Sequence, residues 1–329
     1  MLDGFRALGG IADNVVLGHG PLGRGLFPLD ASNPVLLRVP NNLLFVVEDV
    51  EFEGDRIRIK ATADVAKPER DFFENYSNAF SWGGEGQSDS TRYIAALDAL
   101  PSDVRDVLAG DFGLDEFVAG DPIQRTRKRF LKSRMIEQKG REVLMPLLEL
   151  ANQGPAGFPY TSEAGGALQV EGSTPGEILV SYGPHDGFGI FFTFGFAAQQ
   201  PHAFSLPMKT KSGALQLRIE WDTDKHDKRG DVPTPQMRVE GDERVLSYLM
   251  IGHPKFPKLS RGIFQTLMRD AGVQNADEIF ERILYFNRQR FLKLLATLEP
   301  HRGDVVATLR RMARYQLVAM THCVGTREV

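Results

Sequence analysis

The chain has 329 residues, of which 42% are hydrophobic and 25% are charged, a composition ordinary for a globular protein of one or two domains. Its formal net charge of −4 excludes the strongly basic balance that is typical of proteins that bind nucleic acids. The single cysteine, Cys323, excludes an internal disulfide and a cysteine-rich zinc site, and it fits a reducing compartment.

The amino terminus lacks the basic start and long apolar core of a signal peptide, and every purely apolar run is too short to span a membrane. We therefore expect a soluble, cytoplasmic protein with no membrane partner. The one dense basic cluster, Arg125 to Lys132, falls on a predicted helix and is interpreted as a solvated helix face. We expect no nucleic-acid partner.

The first part of the chain has the pattern of strands and turns. Val35 to Val39 is a predicted strand that ends at Pro40, and Arg56 to Ala61 alternates between polar and apolar residues as an exposed strand does. The continuous apolar run Leu43 to Val47 fits either a buried strand or a short helix.

A helical stretch follows these strands. Ser90 is predicted to cap a helix that continues through Leu100. Asp121 and Pro122 form a strong helix start, a capping residue followed by proline, and this helix is predicted to extend to about Gly140.

The middle of the chain returns to a strand pattern, and the end is helical. The predicted strands are Leu168 to Val170, Glu177 to Ser181, Ile190 to Phe194, and a hairpin of Ala214 to Trp221 with Gln236 to Val239. Helices are predicted from about Leu259 onward. This order of strands, helical insert, strands and helical tail is not the regular alternation of a parallel α/β sheet, and it predicts an α+β fold.

Four segments, in this order, resemble the motifs of one family. They are Gly23 to Phe27 followed by Val35 to Pro40, then Ser133-Arg134, then Pro146 to Gln153, and last Gly176 to Gly183 followed by Phe194 to Phe196. In this order they resemble the SET-domain protein lysine methyltransferases. The long insert and helical tail resemble the branch of the Rubisco large-subunit methyltransferase.

The resemblance implies a β-rich SET core with a knot-like crossing of its last motifs. It implies a catalytic domain over residues 1–225, with a helical insert at about 68–142, and a mainly helical, substrate-binding-like region over 226–329. This branch needs no metal. The implied reaction is transfer of a methyl group from S-adenosylmethionine to a lysine of a protein substrate. The oligomeric state is left open.

Methyl transfer to an amine needs a neutral nucleophile, alignment of the reacting atoms and an electrostatic fit to the transition state. The resemblance implies that the Tyr182 hydroxyl lies at the methyl-transfer site. The implied cofactor-binding residues are Arg24, Gly25, Leu26, Arg134, Asn152 and Gln153. The implied aromatic walls of the substrate lysine channel are Tyr160, Phe194 and Phe196.

Each of these residues also fits a structural role, since tyrosine is common in cores and asparagine in turns. Gln153 stands where the family has histidine, Phe194 where many relatives have tyrosine, and Gly187 and Gly189 where relatives often have polar residues. These departures support an alternative, a SET-fold protein-binding module with weakened catalysis. A different α+β enzyme with chance similarity is a third reading.

Overall fold

A computed structural model of the chain describes residues 1–163, 165–183, 185–198, 200, 202–212, 215–222, 226–229, 232–253 and 256–321. These residues form two compact units. Unit 1 comprises Met1–Arg92 and Thr126–Tyr182, and unit 2 comprises Tyr93–Arg125 and Gly183–Val329. The predicted division at residue 225 stays a prediction.

The first elements are α1 (Leu2–Ala7), β1 (Ile11–Asp13), β2 (Val15–Gly20), β3 (Gly23–Pro28), β4 (Val35–Val39), β5 (Phe45–Val46), β6 (Val50–Glu53), β7 (Arg56–Ile59), α2 (Lys67–Tyr76) and α3 (Gln87–Asp98). A π-helix, Ser77–Gly86, joins α2 to α3. They are followed by α4 (Ser102–Phe112), α5 (Asp115–Val118), α6 (Pro122–Lys132), β8 (Met135–Gln138), β9 (Arg141–Leu144), β10 (Asn152–Phe158), β11 (Thr161–Ser162), β12 (Leu168–Gly172) and β13 (Leu179–Val180).

The remaining elements are α7 (Gly187–Phe194), β14 (Ala203–Phe204), β15 (Met208–Ser212), β16 (Leu215–Ile219), β17 (His226–Arg229), β18 (Val232–Pro235), β19 (Met237–Glu240), β20 (Glu243–Leu246), β21 (Met250–Gly252), α8 (Pro257–Asp270), α9 (Ala276–Leu298) and α10 (Asp304–Thr321). Short 3-10 turns lie at Asn41–Leu43, Val47–Asp49 and Leu148–Leu150.

Unit 1 is built on a sheet with the strand order β1, β4, β12, β11. Its strand pairs are antiparallel, and β4 is its best-defined strand because Val35, Leu37 and Val39 are buried on one face while the residues between them are partly exposed. A single apolar cluster that includes Phe45 and Phe73 forms the core of this unit. The predicted strand Val35 to Val39 is confirmed.

A parallel pair, β10 with β13, positions the last motifs of unit 1. Asn152 lies opposite Leu179, and Gln153 lies opposite Val180. The two strands approach closely at Gly157, where a side-chain Cβ would meet the backbone of Val180. The pairing is irregular after Gln153: Gln153 and Phe158 both lie opposite Val180, so the residues between them leave the ladder.

Unit 2 has its own apolar core, in which aromatic side chains of α7 pack on helices of the tail. Phe188 is fully buried and its ring lies 5.3 Å from that of Phe291 on α9. Full burial of a phenylalanine contributes about 1.5–3 kcal/mol relative to exposure. The main sheet of this unit has the order β15, β16, β20, β19. Helices α8, α9 and α10 form the predicted helical tail.

The fold is α+β, as predicted from the sequence, and a helical insert lies between β7 and β8. The helix that begins at Pro122 ends at Lys132, however, and not near Gly140. The residues after it form the hairpin β8–β9. Its turn is Lys139 and Gly140, with φ angles of 52° and 75°, the left-handed pair that a tight hairpin requires.

The predicted strand Ile190 to Phe194 was wrong, because this segment is the helix α7. Asp186 caps its start by accepting a hydrogen bond from Gly189 N at 2.7 Å, and Gly195 ends it with a φ of 84°. Both residues are ordinary helix-boundary signals. The strand was predicted because phenylalanine has a high β-propensity, which outweighed the capping signals.

The predicted hairpin of Ala214 to Trp221 with Gln236 to Val239 was also wrong. β16 pairs with β15 and, in parallel, with β20, whereas β19 pairs with β20 across a tight turn at Gly241. A two-residue glycine turn lets neighbouring strands pair first. Ala214 lies outside the described residues.

Ser90 lies within α3 and does not cap it, since the π-helix leads directly into this helix. Its hydroxyl instead accepts a hydrogen bond from Arg129 Nη1 at 2.8 Å. Cys323 lies outside the described residues.

Candidate active site in unit 1

The glycine-rich hairpin β2–β3 forms one wall of the candidate site. Gly23, with a φ of 92°, lies at the tight turn where only glycine is free of strain. Gly25 faces polar side chains: a Cβ there would overlap Glu177 Oε1 and would lie 3.0 Å from Asn152 Nδ2. Glycine at position 25 therefore makes room for two polar groups beside the backbone of β3.

Arg24 and Leu26, the neighbours of Gly25, make different hydrogen bonds. The Arg24 guanidinium donates to the Phe80 carbonyl in the π-helix, and the Arg24 carbonyl accepts from Asn152 Nδ2 at 3.0 Å. Leu26 is 1% exposed, and its carbonyl accepts from Ile178 N at 2.8 Å. Of the three predicted residues on β3, Arg24 and Gly25 lie directly against Asn152.

Asn152 begins β10, and its amide group joins two distant segments. Besides the Arg24 carbonyl, Nδ2 donates to Glu177 Oε1 at 2.5 Å. Both partners are acceptors only, so this orientation of the amide is the one that satisfies the hydrogen bonds. The motif residue Asn152 is thereby linked to Glu177, which sequence reasoning left out of the site.

Tyr182 follows β13 directly and is held at two points. Its hydroxyl donates to the Ala151 carbonyl at 3.0 Å, and its backbone N–H donates to Gln153 Oε1 at 2.6 Å. Burial raises the pKa of Tyr182 to about 12; the charge of Arg134 opposes this rise, and the charges of Glu149 and Glu177 add to it. The phenol is therefore neutral near pH 7.

Tyr160 belongs with Tyr182 to the partly buried side chains packed against the core of unit 1. Burial raises the pKa of Tyr160 well above its usual range, and Tyr182 and Glu149 contribute to that rise. The structure thus places two neutral aromatic hydroxyls within electrostatic reach of each other.

Arg134 follows α6, and its guanidinium lies 4.3 Å from the ring centre of Phe130. Nη1 donates to Ser133 Oγ at 2.8 Å. Nε is buried and has no hydrogen-bond partner in the described part of the chain. A buried, unsatisfied guanidinium N–H is costly, so this group is suited to an acceptor supplied by a ligand.

Sequence reasoning missed a hydrogen-bonded pair of the same unit, Tyr76 and Glu149. Tyr76 donates its hydroxyl proton to Glu149 Oε1 at 2.8 Å and accepts from Leu147 N at 3.0 Å. Burial is the main cause of the raised pKa of Glu149, and Arg134 and Arg24 oppose it. Leu147 has a φ of 69°, a strained angle for leucine. A carboxylate inside the apolar run Met145 to Leu150 was the available signal.

The two remaining predicted residues belong to unit 2. Phe194 ends α7, with its ring 5.4 Å from His185 and 6.3 Å from Phe196. Phe196 is 39% exposed. The departures Gly187 and Gly189 lie in α7, where both are buried.

The chemistry of the site in unit 1 fits the amino-acid part of S-adenosylmethionine. That part is a zwitterion, with one carboxylate and one ammonium group. Arg134 offers guanidinium donors for a carboxylate, and its buried Nε lacks a partner among the described residues. Glu177 and the Arg24 carbonyl offer acceptors near Asn152. These residues therefore fit the group that the resemblance implies.

The described ranges contain no cluster of three or more His, Cys, Asp or Glu side chains that could hold a metal ion. None of their helices is long and apolar enough to cross a membrane.

No protein-family model matches this chain, and no curated protein matches its sequence. Solved structures do match. One is the SET domain of LSMT bound to lysine and AdoHcy, with 13% identity and a TM-score of 0.44, covering 98% of this chain and 88% of the other. Another is Rubisco LSMT bound to sinefungin and monomethyllysine, with 12% identity and a TM-score of 0.46, covering 97% and 88%.

Proposed function

We propose that this chain transfers a methyl group from S-adenosylmethionine to a lysine side chain of a protein substrate. The observation that carries the proposal is the hydrogen-bonded arrangement of three segments of unit 1. Asn152 bonds the Arg24 carbonyl, and the residues on either side of Asn152 bond Tyr182. Hydrogen bonds within unit 1 therefore join three of the segments on which the resemblance rests, and this supports the proposal.

S-adenosylmethionine, when bound, supplies a methyl group on a positively charged sulfur. In this proposal Arg134 binds its carboxylate, Asn152 and the β3 backbone hold its amino-acid part, and Gln153 positions Tyr182. Orientation of this kind is a large part of catalysis by displacement, since it removes the entropy cost of bringing the reactants together.

Tyr182 acts in the proposal as a neutral hydrogen-bonding group. A phenol with a pKa of about 12 is a poor acid near pH 7, and its oxygen keeps lone pairs after donating to the Ala151 carbonyl. That oxygen is suited to accept an N–H of the substrate amine and so to direct the amine lone pair. The rings of Tyr160 and Tyr182 suit the aliphatic stem of lysine.

Calorimetric titration of the purified protein with S-adenosylmethionine and S-adenosylhomocysteine is the first test. We expect stoichiometric binding of both. Tyr182→Phe is expected to keep this affinity within about threefold, because the hydroxyl contacts the substrate amine.

The same variant is expected to lose about 10²–10³-fold in the rate of methyl-lysine formation. Formation is measured by mass spectrometry on a cell extract incubated with isotopically labelled cofactor. Tyr285→Phe is the matched control, since Tyr285 is 59% exposed in unit 2. Full activity of Tyr182→Phe would remove Tyr182 from this role. A folded protein that binds neither nucleoside would contradict the proposed reaction and favour the protein-binding module.

A further inference from the structure

The Glu177 carboxylate is held against the glycine hairpin of unit 1. Oε1 accepts from Asn152 Nδ2 at 2.5 Å. A Cβ atom at Gly20 would lie 3.3 Å from Oε2, and one at Gly25 would overlap Oε1. Glycines at these two positions let both carboxylate oxygens lie beside the backbone of β2 and β3.

This carboxylate has no cationic partner within the described ranges of the chain. No lysine, arginine or histidine there forms an ion pair with Glu177, although the side chain is only partly exposed. Its hydrogen-bond donor, Asn152, is a neutral amide. A partly buried carboxylate next to a neutral donor is suited to a positive charge that arrives with a ligand.

Arg134, on the same unit, is a second charged side chain without an ion pair among the described residues. Arg134 forms no ion pair with any described carboxylate, and its Nε is buried without a partner there. Both charges act on Tyr182: burial is the main cause of the raised pKa of its hydroxyl, Arg134 lowers that pKa, and Glu149 and Glu177 raise it. One unpaired cation and one unpaired anion near the same residue match the two charges of an amino-acid zwitterion.

We propose that Glu177 binds the α-ammonium group of S-adenosylmethionine and that it makes the site specific for nucleosides with an intact amino-acid part. The inference rests on the proposed function. An ammonium group has three N–H donors, and the acceptors around Asn152 are Glu177, the Arg24 carbonyl and Asn152 Oδ1, to which no described residue donates. Glu177 thus has two tasks, since it also fixes the Asn152 amide.

The test compares two nucleosides that differ in the amino-acid part. S-adenosylhomocysteine carries the ammonium and the carboxylate, whereas 5′-methylthioadenosine has neither group. Glu177→Gln keeps the size of the side chain and an oxygen acceptor, but it removes the negative charge. By titration calorimetry we expect this variant to bind S-adenosylhomocysteine about 10- to 100-fold more weakly, and 5′-methylthioadenosine within about threefold of the unmodified protein.

Glu171→Gln is the matched control, since Glu171 is exposed on β12 of the same unit. It is expected to change neither affinity. An equal loss for both nucleosides in Glu177→Gln would show a support role only, and unchanged binding would show no role; either result overturns the inference and leaves the proposed function standing. An unmodified protein that binds neither nucleoside would overturn both proposals.

A second measurement needs no variant and applies even if Glu177→Gln does not fold. The unmodified protein is titrated with an analogue of S-adenosylhomocysteine in which hydrogen replaces the α-amino group. We expect it to bind about 10- to 100-fold more weakly than S-adenosylhomocysteine, because Glu177 then faces no cation. Equal affinity for the two compounds would overturn the inference.

Discussion

The backbone N–H of Tyr182 donates to the side-chain oxygen of Gln153 at 2.6 Å. Gln153 is a point where the sequence departs from the motif of the family that it resembles, which has histidine there. The structure gives this glutamine a definite contact, because its side chain holds the backbone of the residue that we assign to the reaction.

The first prediction concerns this bond. Gln153→Met keeps the length of the side chain but removes the acceptor, which leaves a partly buried N–H unpaired. We expect the free energy of unfolding to fall by about 1–3 kcal/mol. Methyl transfer is expected to fall by more than the affinity for S-adenosylhomocysteine, because the Tyr182 ring loses its fixed position.

Gln153→Glu is the matched control, since a carboxylate also accepts from an N–H. It is expected to recover most of the stability that Gln153→Met loses, as measured by urea unfolding. Equal stability of Gln153→Met and the unmodified protein would show that the bond contributes nothing.

The second prediction concerns Arg134. Arg134→Met keeps the aliphatic part of the side chain on Phe130 but removes the guanidinium. We expect the affinity for S-adenosylhomocysteine to fall about 10- to 100-fold, since a hydrogen bond to a charged group contributes about 1.5–3 kcal/mol. Binding of 5′-methylthioadenosine, which has no carboxylate, is expected to be unchanged.

Arg92→Met is the control for this loss of charge. Arg92 is also in unit 1, its side chain is 77% exposed, and it pairs with Asp89 at 3.1 Å. We expect no change in either titration. If Arg134→Met bound both nucleosides normally, another residue would have to hold the carboxylate.

The α+β class was predicted from the order of strand and helix patterns along the chain. The strand β4 was predicted because a mainly apolar segment, Val35 to Val39, ends at Pro40. Sequence reasoning failed at α7, because the large apolar side chains of this short helix resemble a buried strand. The capping residues Asp186 and Gly195 were the better signal. Propensity is a weak guide in a segment that is buried on all sides, since packing then decides the conformation.

The candidate site was predictable only in part. Asn152 and Tyr182 were found because they lie in motifs. Glu177 also lies in a motif, yet its role depends on the parallel pairing of β10 with β13, which brings it to Asn152 across 25 residues. The pair Tyr76 and Glu149 spans 73 residues; a carboxylate inside an apolar run marks Glu149, but no local pattern indicates Tyr76 as its partner.

The third prediction tests that buried pair. Tyr76→Phe leaves Glu149 without its phenolic donor and Leu147 N without its acceptor. We expect unit 1 to lose about 1–3 kcal/mol of unfolding free energy. The chain has two tryptophans, and Trp82 lies in unit 1. In a Trp221→Phe background, Trp82 fluorescence during urea unfolding therefore reports on unit 1.

Tyr285→Phe in the same background is the control, because removal of an exposed hydroxyl changes stability by no more than about 0.5 kcal/mol. A Tyr76→Phe protein as stable as this control would mean that the buried pair does not stabilise unit 1.

The fourth prediction concerns pH and two groups of unit 2. Burial lowers the pKa of His202 to about 4, with His253 and His185 adding to the effect. Burial raises the pKa of Asp186 to about 6, against hydrogen bonds from Gly189 and Phe204 backbone N–H groups. The two shifts act in opposite directions over nearly the same pH range.

The sign for each group follows from proton binding in the folded and unfolded states. Between about pH 4 and 6.5 the unfolded chain binds more protons at His202, so this residue makes stability rise with pH. Between about pH 3.8 and 6 the folded chain binds more protons at Asp186, so this residue makes stability fall with pH. In urea unfolding from pH 4 to 7, the stability of the unmodified protein relative to His202→Gln should therefore rise, and that relative to Asp186→Asn should fall. Two differences that change with pH in the same direction would contradict one of these shifts, and a difference that stays constant would show that its residue titrates alike in both states.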